Sequence, residues 1–229
     1  MTSVSAVVVP AAKRLTSTLI FMHGLGDTGH GWVSVSENFR LRRKFDECAF
    51  IFPHAPSIPI TVNMGMRMPG WFDVTSFGDI SHKEDEAGIM KSVELLHKII
   101  DEQIAKGVAS ERIVVGGFSQ GGAIALLGGI SCPHKLGGIV AMSTWLACHD
   151  KVSTLVQDAN KDTPIFMAHG EIDPLIRIEW AEQSRDILIK DYGKKIEWHS
   201  YPNLEHSADP QEINHLQMWL EKRIPPLGM

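Results

Sequence analysis

Short, continuously apolar runs alternating with longer stretches of helical period constrain this chain more than any other feature. Leu19 to His23 and Ala49 to Pro53 carry apolar side chains at successive rather than alternate positions, the mark of strands covered on both faces. Asp85 to Gln103, continued by Ile104, sets Ile89, Val93, Leu96, Ile99 and Ile100 along one helical face. The series goes on as strand Arg112 to Gly116, helix Gln120 to Ile130, strand Gly137 to Met142 and strand Thr163 to His169. Helix Trp180 to Lys190, strand Ile196 to Tyr201 and helix Pro210 to Lys222 complete it. Strands separated by helices of about a dozen residues predict an α/β fold, a mostly parallel central sheet with helices on both faces. The interval from Pro53 to His82 is rich in Pro, Gly and Met without a clear period, and is expected to be a long functional loop. No linker-like stretch interrupts the pattern, so one domain is expected over residues 1–229.

Composition matters for what it excludes. Lys plus Arg number 22 against 27 Asp plus Glu, a formal net charge of −5, which argues against a nucleic-acid partner or a polybasic membrane surface. Cys48, Cys132 and Cys148 show neither C-x-x-C spacing nor an even count, so no disulfide framework and no zinc site is implied. The chain reads as reduced and intracellular. The apolar run within Ser5 to Ala12 follows no basic stretch and is too short for a signal core. Nothing approaches the roughly 18–20 apolar residues of a membrane span. Thr2 and a C-terminus without cysteine carry no lipidation signal. If the protein meets lipid, it is expected to meet it as a substrate, with no integral membrane association.

The strongest chemical signal is Gly117-Phe118-Ser119-Gln120-Gly121, a G-x-S-x-G pattern between a strand and an Ala/Leu-rich helix. A strand that turns directly into a helix crowds the backbone around the serine, and glycines two positions either side relieve it. The turn would present the Ser119 hydroxyl at a helix N-terminus, where developing negative charge is favoured. A glycine-rich connection with an incidental serine is the plainer reading. No G-x-G-x-x-G occurs in this turn to suggest a dinucleotide.

A serine hydroxyl needs a base, and the base needs a carboxylate to fix its tautomer; in this architecture they follow in the order Ser, Asp or Glu, His. His199 alternates within a strand and would face into the sheet, and His215 sits inside a helix. His206, in the loop Asn203-Leu204-Glu205-His206-Ser207, falls at the C-terminal edge of the sheet and is the candidate base. Asp173 follows the strand Thr163 to His169 and is the candidate acid, with Glu171 its competitor. Pro174 favours Asp173, since a proline can open a helix there. Asp158, Asp162, Asp186 and Asp191 fall on helical or connecting stretches and read as surface charge. The backbone amide of Gln120 is one candidate oxyanion donor, and Leu25 in the turn His23-Gly24-Leu25-Gly26-Asp27-Thr28-Gly29 the second. His23 and His30 stand seven residues apart with no third ligand nearby, so no metal is expected. Met64, Met66, Met68, Pro69 and Trp71 would offer an adaptable surface for an acyl chain, or else methionines filling gaps in a packed loop.

The segments His23 to Trp32, Pro53-His54-Ala55-Pro56, Trp71-Phe72-Asp73, Gly116 to Ala123, and His169-Gly170 with Asp173-Pro174 together resemble the acyl-protein thioesterases. These are the lysophospholipase-like branch of the phospholipase/carboxylesterase family, and the likeness runs from about Thr16 to Pro226. It implies an α/β-hydrolase that removes palmitoyl groups from cysteine thioesters on proteins, with side activity on lysophospholipids and small esters. It implies Ser119 as nucleophile, Asp173 as acid, His206 as base, and Leu25 and Gln120 as oxyanion donors. An acyl channel around Met64 to Trp71, including Met66 and Trp71 and flanked by Trp145 and Leu175, is implied too. So are the absence of a cofactor, a cytoplasmic or nuclear setting, and at most a weak homodimer. Glu205 and Arg67 depart from the family pattern, beside the histidine and within the methionine segment. A general carboxylesterase without a protein substrate, and a silent acyl-sheltering module, are the alternatives.

Overall fold

Both faces of one seven-stranded sheet are buried, as the continuous apolar runs require. The computed structural model describes residues 5–76 and 84–228. In chain order the elements are β1 (Ala6–Val9), β2 (Ser17–Met22), α1 (Val33–Leu41), β3 (Cys48–Pro53), β4 (Ser57–Ile60) and β5 (Met66–Pro69). There follow α2 (Glu86–Ala105), β6 (Ile113–Phe118), α3 (Gln120–Ile130), β7 (Gly138–Met142) and α4 (Val152–Leu155). The last are β8 (Ile165–Gly170), α5 (Ile178–Tyr192), β9 (Ile196–Tyr201) and α6 (Pro210–Arg223). The sheet order is β1-β3-β2-β6-β7-β8-β9; β1 runs antiparallel to β3 and every other pairing is parallel.

Successive side chains feed two separate cores. Ile20 and Met22 of β2 pack with Ile89, Leu96 and Ile100 of α2 and Leu126 of α3, whereas Leu19 and Phe21 pack with Phe39 of α1 and Trp219 and Leu220 of α6. Each such large side chain contributes about 1.5–3 kcal/mol by leaving water. Helix α3 is buried on every side because it lies between the sheet and α2, and its small residues permit that approach.

Five elements go beyond the sequence expectation: β1, α1, β4, β5 and the single turn α4. β1 is a four-residue antiparallel edge strand, too short to register as a period. Helix α1 buries only Ser36 and Phe39, so it has little apolar stripe to see. The interval after Pro53 is not wholly irregular. β4 and β5 form a separate two-stranded hairpin, turned through Met64 (φ 55°) and Gly65 (φ 75°). Prolines at 59 and 69 masked its strands, although proline is tolerated in isolated edge strands. Asp73 pins the hairpin by accepting from the Thr61 amide at 2.7 Å and the Thr61 hydroxyl at 2.5 Å. The remainder of that interval, 77–82, lies outside the described residues.

All three cysteines are buried and unpaired. Burial pushes their thiols up to about 12 for Cys48, 11 for Cys132 and 12 for Cys148. Among the described residues no helix is long and apolar enough to cross a membrane.

Candidate active site

Parallel strands bring their C-terminal ends to one rim, and the loops that leave β2, β6, β8 and β9 meet there. Ser119 stands between β6 and α3 at φ 54°, ψ −124°, a strained conformation for a residue with a Cβ. The two glycines are obligatory on steric grounds. A Cβ on Gly117 would lie 2.4 Å from the Gly121 backbone, and one on Gly121 would lie 2.3 Å from the Met22 carbonyl oxygen. Three bonds hold the strained residue. Its N–H donates to the Met142 carbonyl (2.9 Å), and its carbonyl accepts from the Ala123 amide (3.0 Å) and the Thr144 hydroxyl (2.7 Å).

His206 Nε2 lies 2.8 Å from Ser119 Oγ, and its Nδ1 lies 2.7 Å from Asp173 Oδ2. With an ionised carboxylate on Nδ1, the hydrogen sits on that nitrogen and Nε2 is left to accept the serine proton. Burial alone would raise the Asp173 carboxyl, but hydrogen bonds from His206 and from the Ile176 and Leu175 amides outweigh it and hold it below its ordinary value. Those two amides donate to Oδ1 at 2.9 Å each. Pro174 begins no α-helix: α5 starts at Ile178, and Asp173 instead closes the turn before it. The Phe118 ring backs the imidazole at 4.8 Å.

The competitors are engaged elsewhere. Glu171 accepts from the Ser200 hydroxyl at 2.7 Å on the exposed side of the sheet edge. His199 stacks on His215 at 4.6 Å and lies against Phe166 at 5.2 Å, while His215 Nδ1 meets the Tyr201 hydroxyl at 3.0 Å. His23 is buried in its turn and His30 is exposed beside His54, 5.3 Å between ring centres. Among the described residues no cluster of His, Cys, Asp or Glu is arranged to hold a metal.

A cleft of about 470 Å³ opens over Ser119, walled by Leu25, Trp32, Met68, Leu175 and Ile176. Leu25 lines this cleft and Gln120 directly follows Ser119, and neither backbone amide donates to another residue among the described residues. Of the four side chains expected along an acyl path, Leu175 lines this cleft and the other three do not. Met66 is 57% exposed on the hairpin, its place taken in the cleft wall by Met68. Trp145 faces away, edge-on to Phe72 at 6.1 Å, with its indole N–H donating to Glu84 at 3.2 Å. Trp71 is 2% exposed and buried behind the rim. Sequence reasoning missed Thr144 and His169. His169 is a buried imidazole whose Nε2 reaches the Ile176 carbonyl at 2.8 Å and lies 3.6 Å from Asp173 Oδ2. Its position four residues before the acid, within the His169-Gly170 segment that shares the family resemblance, was the available signal.

Residues 4–224 match the family described as Phospholipase/Carboxylesterase. The chain belongs to the phospholipase/carboxylesterase family. It is similar to acyl-protein thioesterase 1 of Gibberella zeae, 48% identical with 97% of each chain covered. The Neurospora crassa protein of that name is 46% identical, covering 96% of this chain and 92% of its own. Among solved structures, Arabidopsis thaliana SOBER1 superposes with a TM-score of 0.85 at 31% identity, covering 91% of this chain and 99% of its own. Zea mays acyl-protein thioesterase 2 does so with a TM-score of 0.84 at 25% identity, covering 97% of this chain and all of its own. The expected α/β-hydrolase fold is thus the one adopted, and the protein is a hydrolase of this family.

Proposed function

We propose that the protein hydrolyses fatty-acyl thioesters of cysteine in proteins, with Ser119, His206 and Asp173 as nucleophile, base and orienting acid. The continuous relay from Asp173 through His206 to Ser119, 2.7 and 2.8 Å long at the floor of an apolar cleft, carries this reading. The names of its relatives supply the substrate class. As Ser119 Oγ attacks the acyl carbon, its proton passes to His206 Nε2 and the new C–O bond completes a tetrahedral intermediate. The Leu25 and Gln120 amides hold the oxyanion. Collapse breaks the C–S bond, and the imidazolium proton goes to the departing sulfur. Water then repeats the sequence on the acyl-enzyme, releasing the fatty acid and restoring Ser119. Each CH₂ buried against Leu25, Met68 and Leu175 adds about 0.8 kcal/mol, so a long chain outweighs a short one.

Lysophospholipids and small esters fit the same chemistry as secondary substrates. Three unpaired thiols support a reducing setting, in the cytoplasm or nucleus; a weak homodimer belongs to the same reading. Ser119→Ala should remove turnover of a palmitoylated peptide by at least about 10⁴-fold while leaving the thermal transition in place. Residual activity within tenfold of the parent refutes the nucleophile. A parent enzyme that cleaves short esters but spares acylated peptide marks a general carboxylesterase.

A further inference from the structure

Trp71 and the Gln120 carboxamide take no part in the steps above, yet both are deeply buried, at 2% exposure each. Polar groups so placed are costly unless bonded, and here every bond leads to the same destination. Gln120 Oε1 accepts the Trp71 backbone N–H at 2.8 Å, and Gln120 Nε2 donates to the Phe72 carbonyl at 2.7 Å. The Trp71 indole N–H donates to the His23 carbonyl at 2.8 Å. His23 Nε2 accepts the Ala55 amide at 3.1 Å, so its hydrogen lies on Nδ1 and is donated to the Gly24 carbonyl at 2.7 Å. Burial lowers the proton affinity of this imidazole and keeps it neutral, as that pattern needs. The Ser92 hydroxyl of α2 donates to the Trp71 carbonyl and ties the assembly to the core.

The chain of bonds begins on the residue whose amide is one proposed oxyanion donor and ends beside Leu25, which bears the other. Strands β2 and β6 are paired only as far as Met22 and Gly117. Beyond that point no ladder among the described residues fixes the spacing of the 24–26 turn against the start of α3. We infer that Trp71 is a positioning residue which, through the Gln120 carboxamide and the His23 carbonyl, sets the separation and aim of the Leu25 and Gln120 amides. Oxyanion donors work only within a narrow range of distance, so their mutual spacing is a catalytic quantity in itself. This inference rests on the serine-hydrolase reading of the same site.

Trp71→Phe deletes the indole N–H and keeps most of the ring. Gln120→Met keeps length and backbone amide and deletes both carboxamide bonds. Each should lower kcat on an acyl thioester by about 10- to 100-fold, with KM changed less than about threefold. Affinity for an alkyl boronic acid, which forms a tetrahedral adduct on Ser119, should fall by the same factor as kcat/KM, while affinity for the fatty-acid product stays constant. The double variant should lose no more than the worse single one, because both break one chain. Unchanged kcat in folded variants, a loss confined to KM, equal losses of boronate and product affinity, or losses that multiply would each overturn the inference. Ser119→Ala is assayed alongside: if it retains turnover the serine reading has failed, whereas a dead Ser119→Ala beside fully active variants defeats the positioning role alone.

Discussion

The sheet has a hollow at each end, and they differ in what they leave unspent. The cleft over Ser119 measures about 470 Å³, and a second cavity at the N-terminal ends of β2 and β3 about 400 Å³. The second is far richer in charge, lined by Lys13, Arg43, Lys44, Asp46, Glu47 and Glu221. Its carboxylates are consumed locally: Asp46 by Lys13 at 3.4 Å, Glu221 by Lys44 at 3.1 Å, and Glu47 by the Thr16 hydroxyl and the Leu227 amide at 2.9 Å each. The cleft is lined by fewer ionisable groups, Asp27 and His206, but His206 stands in series with Asp173 and Ser119, beside two backbone amides that no carbonyl takes up among the described residues. Neither volume nor charge density makes a reactive site; convergent strand ends with uncommitted hydrogen-bonding capacity do.

The contrast breaks most severely at Asp173. Asp173→Asn keeps the shape but favours the wrong tautomer of His206, and kcat should fall by about 10³–10⁴-fold with little change in melting temperature. A steady-state assay showing less than a tenfold loss would mean that the carboxylate does not orient the base. Next comes Glu212, on the helix α6 that joins the two ends. Its carboxyl is wholly buried, both oxygens lack a partner among the described residues, and burial followed by repulsion from Asp209 pushes it up to about 8. The folded chain therefore keeps a proton that the unfolded chain releases above its ordinary value of 4.5, so this group makes stability decline as pH rises from about 4.5 to 8. Glu212→Gln should melt higher than the parent at pH 8, by about 2–4 °C for each kcal/mol relieved, and the gap should close towards pH 5. Melting curves with a pH-independent gap would contradict a buried neutral acid. The smallest effect belongs to the charged cavity. Lys44→Ala loses an ion pair whose partners are 40% and 37% exposed, and should change stability by less than about 1 kcal/mol and kcat not at all. A clear loss of turnover would show that the second cavity matters to the reaction after all.

Much of this was legible in the sequence because the relevant physics is local. Gly117 and Gly121 announce a backbone collision, and the central strands announce two-sided burial. Asp173 and His206 were singled out because the C-terminal ends of parallel strands share a rim, and the fold brings the two side chains within 2.7 Å of each other. The hidden parts depend on contacts far apart along the chain. Trp71 looked like a wall for an acyl chain, since an aromatic beside three methionines has the right composition. Only the fold reveals that its indole N–H is spent on the His23 carbonyl, 48 residues away. Thr144 was invisible for the same reason, its bond reaching 25 residues back to Ser119. The β4–β5 hairpin was obscured because its residues satisfy their ladder outside the main sheet, where alternation carries little weight.

With Ser119 in the role proposed for it, the burial of the three thiols acquires a chemical meaning. A thioester hands its acyl group readily to any accessible thiolate, and an enzyme that gathers such molecules continually exposes itself to them. Protonated far beyond neutrality and shielded by the core, Cys48, Cys132 and Cys148 offer no rival acceptor. On the proposed function, the chain is thereby exempt from acylation by its own substrates.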